Sequence, residues 1–198
     1  MKILKRSLLL LVAILIIAII YNYKKLNIIA GYSAKNMNSS VFLAKRTFAF
    51  TDSTDNNFSP IHLGSDKIDQ ASKTTSTSVF GLLTRTAFYR EGLGSVLIDD
   101  DFDTSKKTAT PKRSTPDNIT PFPYGNADQK DSILQNVDYT KLNKTVSNLF
   151  LNNTKTRAVV VLHKGRIIAE KYANQFNKDS RILGWSMTKS ITSTVFGI

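Results

Sequence analysis

The hydrophobic pattern begins with one unbroken apolar run of 13 residues, Leu8 to Ile20, behind Lys2, Lys5 and Arg6 and ahead of Tyr21-Asn22-Tyr23-Lys24-Lys25. A buried soluble helix would keep a polar periodicity that this stretch lacks. Residues 7–23 reach the short end of what crosses a bilayer, and the two tyrosines suit a lipid interface. A cleaved signal peptide needs a small-x-small site after the run, where this chain has aromatics and lysines. Residues 1–25 therefore read as a signal anchor or transmembrane helix. Three basic side chains precede the run and two follow, which places the N-terminus in the cytoplasm and the rest outside, on the periplasmic or extracellular side. Secretion after signal cleavage is the alternative.

Beyond the run, from Asn27 to about Asp103, short apolar or β-branched pieces such as Val41-Phe42-Leu43 and Val79-Phe80-Gly81-Leu82-Leu83 alternate with Ser-, Thr-, Asp- and Asn-rich turns. That spacing predicts short strands or irregular structure rather than long helices. A stretch from Asp99 to about Asp131 holds Pro111, Pro116, Pro121 and Pro123 and reads as a long surface connection. Within it, Pro121 to Asn126 reads as a loop packed over a neighbouring surface, with a binding loop as the rarer alternative. Asp138 can cap a helix to about Asn152, with Leu142, Val146, Leu149 and Phe150 on one stripe. Arg157–Leu162, the turn His163-Lys164-Gly165-Arg166, and Ile167–Tyr172 make a hairpin. His163 reads as a solvated turn residue. The resulting division is an anchor over 1–25, an extension of short strands and loop over 26–135, and the start of a further domain over 136–198.

Charge changes this picture little. The formal net charge is +12, but residues 1–25 carry five basic residues and no acid, and residues 151–198 carry eight basic against two acidic, while 26–150 nearly balance. The excess flanks the apolar run or sits among strand-like and turn-like residues, with no arginine-rich helix, so a nucleic acid partner is not expected. The chain has no Cys and only His62 and His163, which removes thiol chemistry and makes a metal site unexpected.

One short pattern suggests chemistry: Gly184-Trp185-Ser186-Met187-Thr188-Lys189-Ser190. With 19 Ser and 19 Lys in 198 residues, chance alone places about two Ser-x-x-Lys pairs, so the context has to carry the argument. On a helix, Ser186 and Lys189 share a face one turn apart. A hydroxyl becomes a competent nucleophile when a base takes its proton, and a lysine can be that base where burial and a helix N-terminus favour its neutral form. The Ser186 N–H could supply half of an oxyanion hole. Ile191 and Val195 give the downstream helix an apolar seam, although Ser190 to Gly197 has poor helix propensity. The bland alternative is a capped structural helix with a solvated lysine.

The run Thr156 to Ala173, followed by Leu183-Gly184-Trp185-Ser186-Met187-Thr188-Lys189-Ser190, closely resembles the β-lactamase-related serine hydrolases: class C β-lactamases, penicillin-binding proteins, esterases and aminohexanoate-dimer hydrolases. Ala34 to Phe42 and Ala87 to Ser95 resemble parts of the N-terminal extension of one subgroup, whose members often carry Cys where this chain has Asn38 and Ser95. The resemblance implies an α+β fold of the β-lactamase/transpeptidase type, entered by a hairpin and then a nucleophile helix. It implies Ser186 as the acylated nucleophile, Lys189 as general base, no cofactor or metal, and a small ester, amide or β-lactam substrate. The family completes its site with a Tyr-x-Asn element and a Lys- or His-x-Gly strand downstream of the serine. Neither follows Ser186 here, so the expectation is an N-terminal piece of a longer hydrolase that lacks the C-terminal part of the fold and is inactive alone. The competing expectation is a membrane-anchored, noncatalytic interaction module. Oligomeric state is not specified by the sequence.

Overall fold

The computed structural model describes residues 2–106, 109–114, 119–122, 124–129, 133–151 and 154–197, with side chains from Lys5 onward. Pro116, Pro123, Asp131 and Asn152, named above, lie outside the described residues. The architecture is mixed helix and sheet (α+β) in two compact units, residues 2–111 with 181–197, and residues 112–180.

The first unit is organised by α1 (Lys2–Asn38), 37 residues of continuous helix. Its lower part has no protein around it: Ile20 is 70% exposed, and the run from Leu8 upward is exposed throughout. Among the described residues it is the one helix long and apolar enough to cross a membrane, a property that an anchor and a signal sequence share. Above Lys25 the same helix becomes the core. Ile29, Ala30, Ser33, Ala34 and Met37 recur at spacings of three and four and are all buried, the stripe of a helix lying on another layer.

That layer is an antiparallel meander in the order β1 (Gly64–Asp69), β2 (Thr74–Val79), β3 (Leu83–Arg90), β4 (Gly94–Ile98). Gly64 pairs with Val79, Val79 with Leu83, and Ala87 with Leu97. Side chains alternate between faces, so Thr75, Thr77 and Val79 of β2 and Ala87 and Tyr89 of β3 point inward. The sheet comes close to α1 at Gly64, where a Cβ would lie 2.8 Å from the Thr77 methyl and 3.3 Å from Ser33 Cβ. Between helix and sheet, a π-helical turn (Ser39–Leu43), the single turn α2 (Phe48–Phe50), a second π turn (Thr51–Asp55) and a 3-10 turn (Ile61–Leu63) carry the chain around.

Strands from residue 64 onward agree with the sequence expectation, but residues 27–38 do not: they are helix, not short strands or irregular structure. The stripe there is made of small and polar residues, which weakens the hydrophobic period while allowing close approach. Its polar members find partners in the sheet. Asp66 accepts hydrogen bonds from Ser33 Oγ at 3.0 Å, from Asn56 Nδ2 at 3.0 Å and from Thr77 Oγ1. Asn36 Nδ2 in turn donates to Asn56 Oδ1 at 2.7 Å. One turn higher, the fully buried Asn38 directs Nδ2 at Thr75 Oγ1 and at the Lys73 and Ala87 carbonyls, 3.1–3.2 Å away. Asn38 Oδ1 and Ser95 Oγ are buried with no hydrogen-bond partner among the described residues.

In the second unit α3 (Tyr139–Asn148) packs on a hairpin of β5 (Ala158–His163) and β6 (Arg166–Tyr172). The Asp138 carboxylate accepts from Lys141 N at 2.9 Å, as the cap reading expects. Val146 is the buried point of the stripe. The helix stops at Asn148, with Leu149 to Leu151 following as turns, short of the expected end near Asn152. The hairpin lies within a residue of its predicted place, turning at Lys164-Gly165 and carrying a bulge between Val161 and Leu162. His163 differs from expectation. It closes β5 opposite Arg166, half-buried, and its Nε2 is buried with no hydrogen-bond partner among the described residues. The loop around Pro121 folds on itself through Ala127 and is braced to β6 by Gln129, which donates to the Phe122 carbonyl at 2.7 Å and accepts from Ile167 N at 2.8 Å.

Because Asp66 serves donors from α1, from β2 and from the loop before β1, Asp66→Ala would leave the Ser33 and Thr77 hydroxyls without their acceptor and Asn56 Nδ2 with only its bonds to Ser33. We expect a loss of about 2–4 kcal/mol of stability, seen as a lowered denaturation midpoint of the protein in detergent. Asp66→Asn keeps one acceptor oxygen and is expected to lose less; an unchanged midpoint for Asp66→Ala would show that the network adds no stability.

Candidate functional site

The segment that carries Ser186 and Lys189 belongs to the first unit. A 3-10 turn, Trp185–Met187, opens it and passes into α4 (Thr188–Phe196). Ser186 therefore sits in the turn that leads the helix rather than inside regular α-helix. The turn is closed by Met187 N donating to the Gly184 carbonyl at 2.8 Å and by Thr188 Oγ1 donating to the Trp185 carbonyl at 2.7 Å. Further along, Thr192 and Thr194 donate their hydroxyls to the Thr188 and Ser190 carbonyls. This local bonding gives the hydroxyls partners but does not strengthen the helix, which threonines disfavour.

This geometry brings the two predicted residues together: Lys189 Nζ donates to Ser186 Oγ at 3.2 Å. The spacing of three residues at the head of a helix accounts for the contact without any third group. In this bond the ammonium donates; the same two atoms can exchange a proton in the other direction when the amine is neutral. Both side chains are exposed. Exposed too are Met187, Ile191, Val195 and Phe196, the last at 88%, so the expected apolar seam of α4 faces solvent.

What ties the segment down lies just before the serine. The Trp185 ring stacks on Tyr32 of α1 with centroids 4.4 Å apart and planes 2° from parallel, and Lys35 Nζ lies 5.8 Å from the Trp185 centroid. Phe58 meets Tyr32 edge-on at 5.5 Å. Trp185 holds a positive φ of 43°, a conformation that a bulky residue adopts at a cost and that the stacking and cation–π contacts, each about 1 kcal/mol, help to offset. A second tether runs through Arg46, whose guanidinium pairs with Asp55 at 2.8 Å and donates to the Arg181 carbonyl at 3.1 Å. The Arg46–Asp55 pair is nearly buried, where losing one partner strands a charge. Burial, and after it the nearby Asp55 carboxylate, push the Tyr32 phenol above its ordinary pKa, so the stacking partner of Trp185 stays neutral.

Sequence reasoning picks out Ser186 and Lys189 and misses Tyr32, Lys35 and Arg46. The one available signal is the three-residue spacing of Tyr32 and Lys35, which puts an aromatic ring and a cation on one face of α1. Among the described residues no group of three or more metal-ligating side chains gathers. In comparisons with known proteins, no family model, no curated protein and no solved structure matches the chain.

Trp185 is the only tryptophan, so its fluorescence reports this anchorage directly. In Tyr32→Ala its emission should shift to the red and become more open to acrylamide quenching, whereas Tyr32→Phe should keep both near the parent values. Unaltered emission from Tyr32→Ala would show that Tyr32 does not hold Trp185.

Proposed function

We propose that this sequence carries the nucleophile segment of a membrane-anchored serine hydrolase of the β-lactamase-related type. Such an enzyme cleaves an ester, amide or β-lactam bond through an acyl-serine intermediate. The single observation that carries the reading is the 3.2 Å contact between Ser186 Oγ and Lys189 Nζ at the head of a helix, within wording that resembles that family over the hairpin and the serine.

In the proposed reaction Lys189, as neutral amine, takes the Ser186 proton while Oγ attacks the substrate carbonyl carbon. The bond to the leaving group then breaks, and the proton passes from the lysine to the departing oxygen or nitrogen. Water attacks the acyl-serine in the second half, releasing the acid and restoring the hydroxyl. No cofactor or metal enters. The exposed apolar side chains of α4 support the further reading that the working enzyme covers this face. The reading also places the domain outside the cytoplasm, held by residues 7–23.

The competing reading, a membrane-anchored interaction module without catalysis, draws on the exposure of both Ser186 and Lys189. Fluorophosphonate labelling of the gene product in its own membrane separates the two. The hydrolase reading expects labelling that Ser186→Ala abolishes and that Lys189→Met slows by about a hundredfold or more, the usual worth of a general base. Labelling at an undiminished rate in Lys189→Met, or none in the parent protein, would overturn it.

A further inference from the structure

We propose that the β2–β3 turn, Phe80-Gly81-Leu82, is a second membrane-contact element that rests its apolar side chains in the lipid interface from which α1 emerges. The proposal rests on the anchor part of the reading above and not on its chemistry.

The first ground is position. Tyr23, the last residue of the membrane-crossing stretch, donates its hydroxyl to the Leu82 carbonyl at 3.4 Å. Tyr23 stands three residues past Ile20, about 4.5 Å along a helix axis, so the turn lies level with the end of the apolar run. Directly above, Val79 and Leu83 pack with Leu26 and Ile29 of α1, fixing the hairpin in register with the helix. The opposite end of the sheet, at Lys73, is held to Asn38, fifteen residues further up α1.

The second ground is the identity of the side chains. Phe80 is 66% exposed and Leu82 52% exposed, so neither contributes much to the core. Phe80 also sits at φ +53° beside Gly81 at +69°, with Leu82 N donating to the Val79 carbonyl at 3.0 Å. A turn with two successive positive φ values favours Asn, Asp or Gly at its first position, and a bulky side chain there costs about 1 kcal/mol. The comparable turn between β5 and β6 has Lys164-Gly165, at φ +49° and +75°, with the polar residue that water-facing geometry would suggest. In the β2–β3 turn the fold bears a backbone cost for a phenyl ring that the protein leaves largely uncovered. A lipid interface is the surrounding in which that ring gains by leaving water.

The third ground is charge. Lys24 and Lys25 follow Tyr23 directly and are exposed, which suits anionic headgroups at this level. Arg85 is taken up by Asn27 and Asp99 and is not needed for the argument.

The chain has no cysteine, so single-cysteine variants can carry an NBD fluorophore without other changes. Full-length protein labelled through Phe80→Cys is placed in phosphatidylethanolamine–phosphatidylglycerol vesicles, with and without lipids bearing a doxyl quencher, near the headgroup for position 80 and at the acyl-chain end for position 15. Leu15→Cys in the apolar run and Ala71→Cys in the β1–β2 turn serve as references. The expected result is blue-shifted emission at position 80, quenched by the doxyl lipid several-fold more than at position 71. Emission at 80 as red and unquenched as at 71, with 15 quenched, overturns the proposal and leaves the anchor standing. Blue-shifted emission at 80 that the lipid quencher does not touch assigns the turn to a protein neighbour, such as a second copy, and also overturns it. Loss of quenching at 15 removes the anchor reading, and this proposal with it.

Discussion

A carboxylate taken partly out of water must keep its hydrogen-bond donors, and in this protein that requirement sets how the main helix meets the sheet. Asp66 draws Ser33 from α1, Thr77 from β2 and Asn56 from the intervening loop onto one pair of oxygens. Shifting β1 by one residue would turn Asp66 to the other face and take this acceptor away from all three. The contact also explains the small residues around it, because Gly64 and Ser33 permit the close approach that short side chains need to reach Asp66. An apolar interface of the same shape would pack in several registers, whereas this one loses hydrogen bonds in every register but its own.

With the sheet fixed on α1, everything in the first unit takes a height along one helix. Tyr23 and the Phe80 turn form the lowest level, Ile29 with Ile61 and Val79 the next, Tyr32 with Trp185 above them, and Met37 and Asn38 with Thr75 at the top. From Tyr23 to Tyr32 is nine residues, about 13–14 Å of helix. The stack that holds the Ser186 turn thus stands that far above Tyr23 along α1. The helix is continuous between the apolar run and the stack that holds Trp185, so under the proposed function the chemistry would keep a set distance from the membrane surface.

Much of this was legible, for reasons that differ by element. The apolar run Leu8–Ile20 is plain in the sequence, because thirteen consecutive apolar residues behind basic side chains mark an anchor or a signal sequence without reference to any distant residue. Asp138 and the Lys164-Gly165 turn carry local signals, a capping carboxylate and a left-handed glycine pair, which act without help from distant residues. Ser186 and Lys189 meet for the same local reason. The failures all depend on partners far away in sequence. Residues 27–38 hide a helix because Ser33, Asn36 and Asn38 stand where a period of apolar side chains would be expected, and their polarity makes sense only once Asp66, Asn56 and Thr75 are opposite them. β2 hides its buried face in the same way, since Thr75 and Thr77 read as surface residues until the sheet partner is known. Tyr32 shows only its spacing to Lys35, because its partner, Trp185, lies more than 150 residues away.

The serine and lysine separate two requirements that are often treated as one. Geometry is local: three residues of helix set a hydroxyl and an amine within reach of each other, here at 3.2 Å, and on an exposed surface such a contact is worth little. Environment is not local. For the amine to act as a base it must lose its proton near neutral pH, and for the developing oxyanion to be stabilised, donors must surround it with water kept out. The residues that could take part in such a boundary, Met187 in the turn and Ile191, Val195 and Phe196 in α4, are exposed. The two tethers, Trp185 on Tyr32 and Arg46 on the Arg181 carbonyl, hold the turn from behind and leave that side free. In the proposed hydrolase, that side is where a covering surface would enclose Ser186 and Lys189.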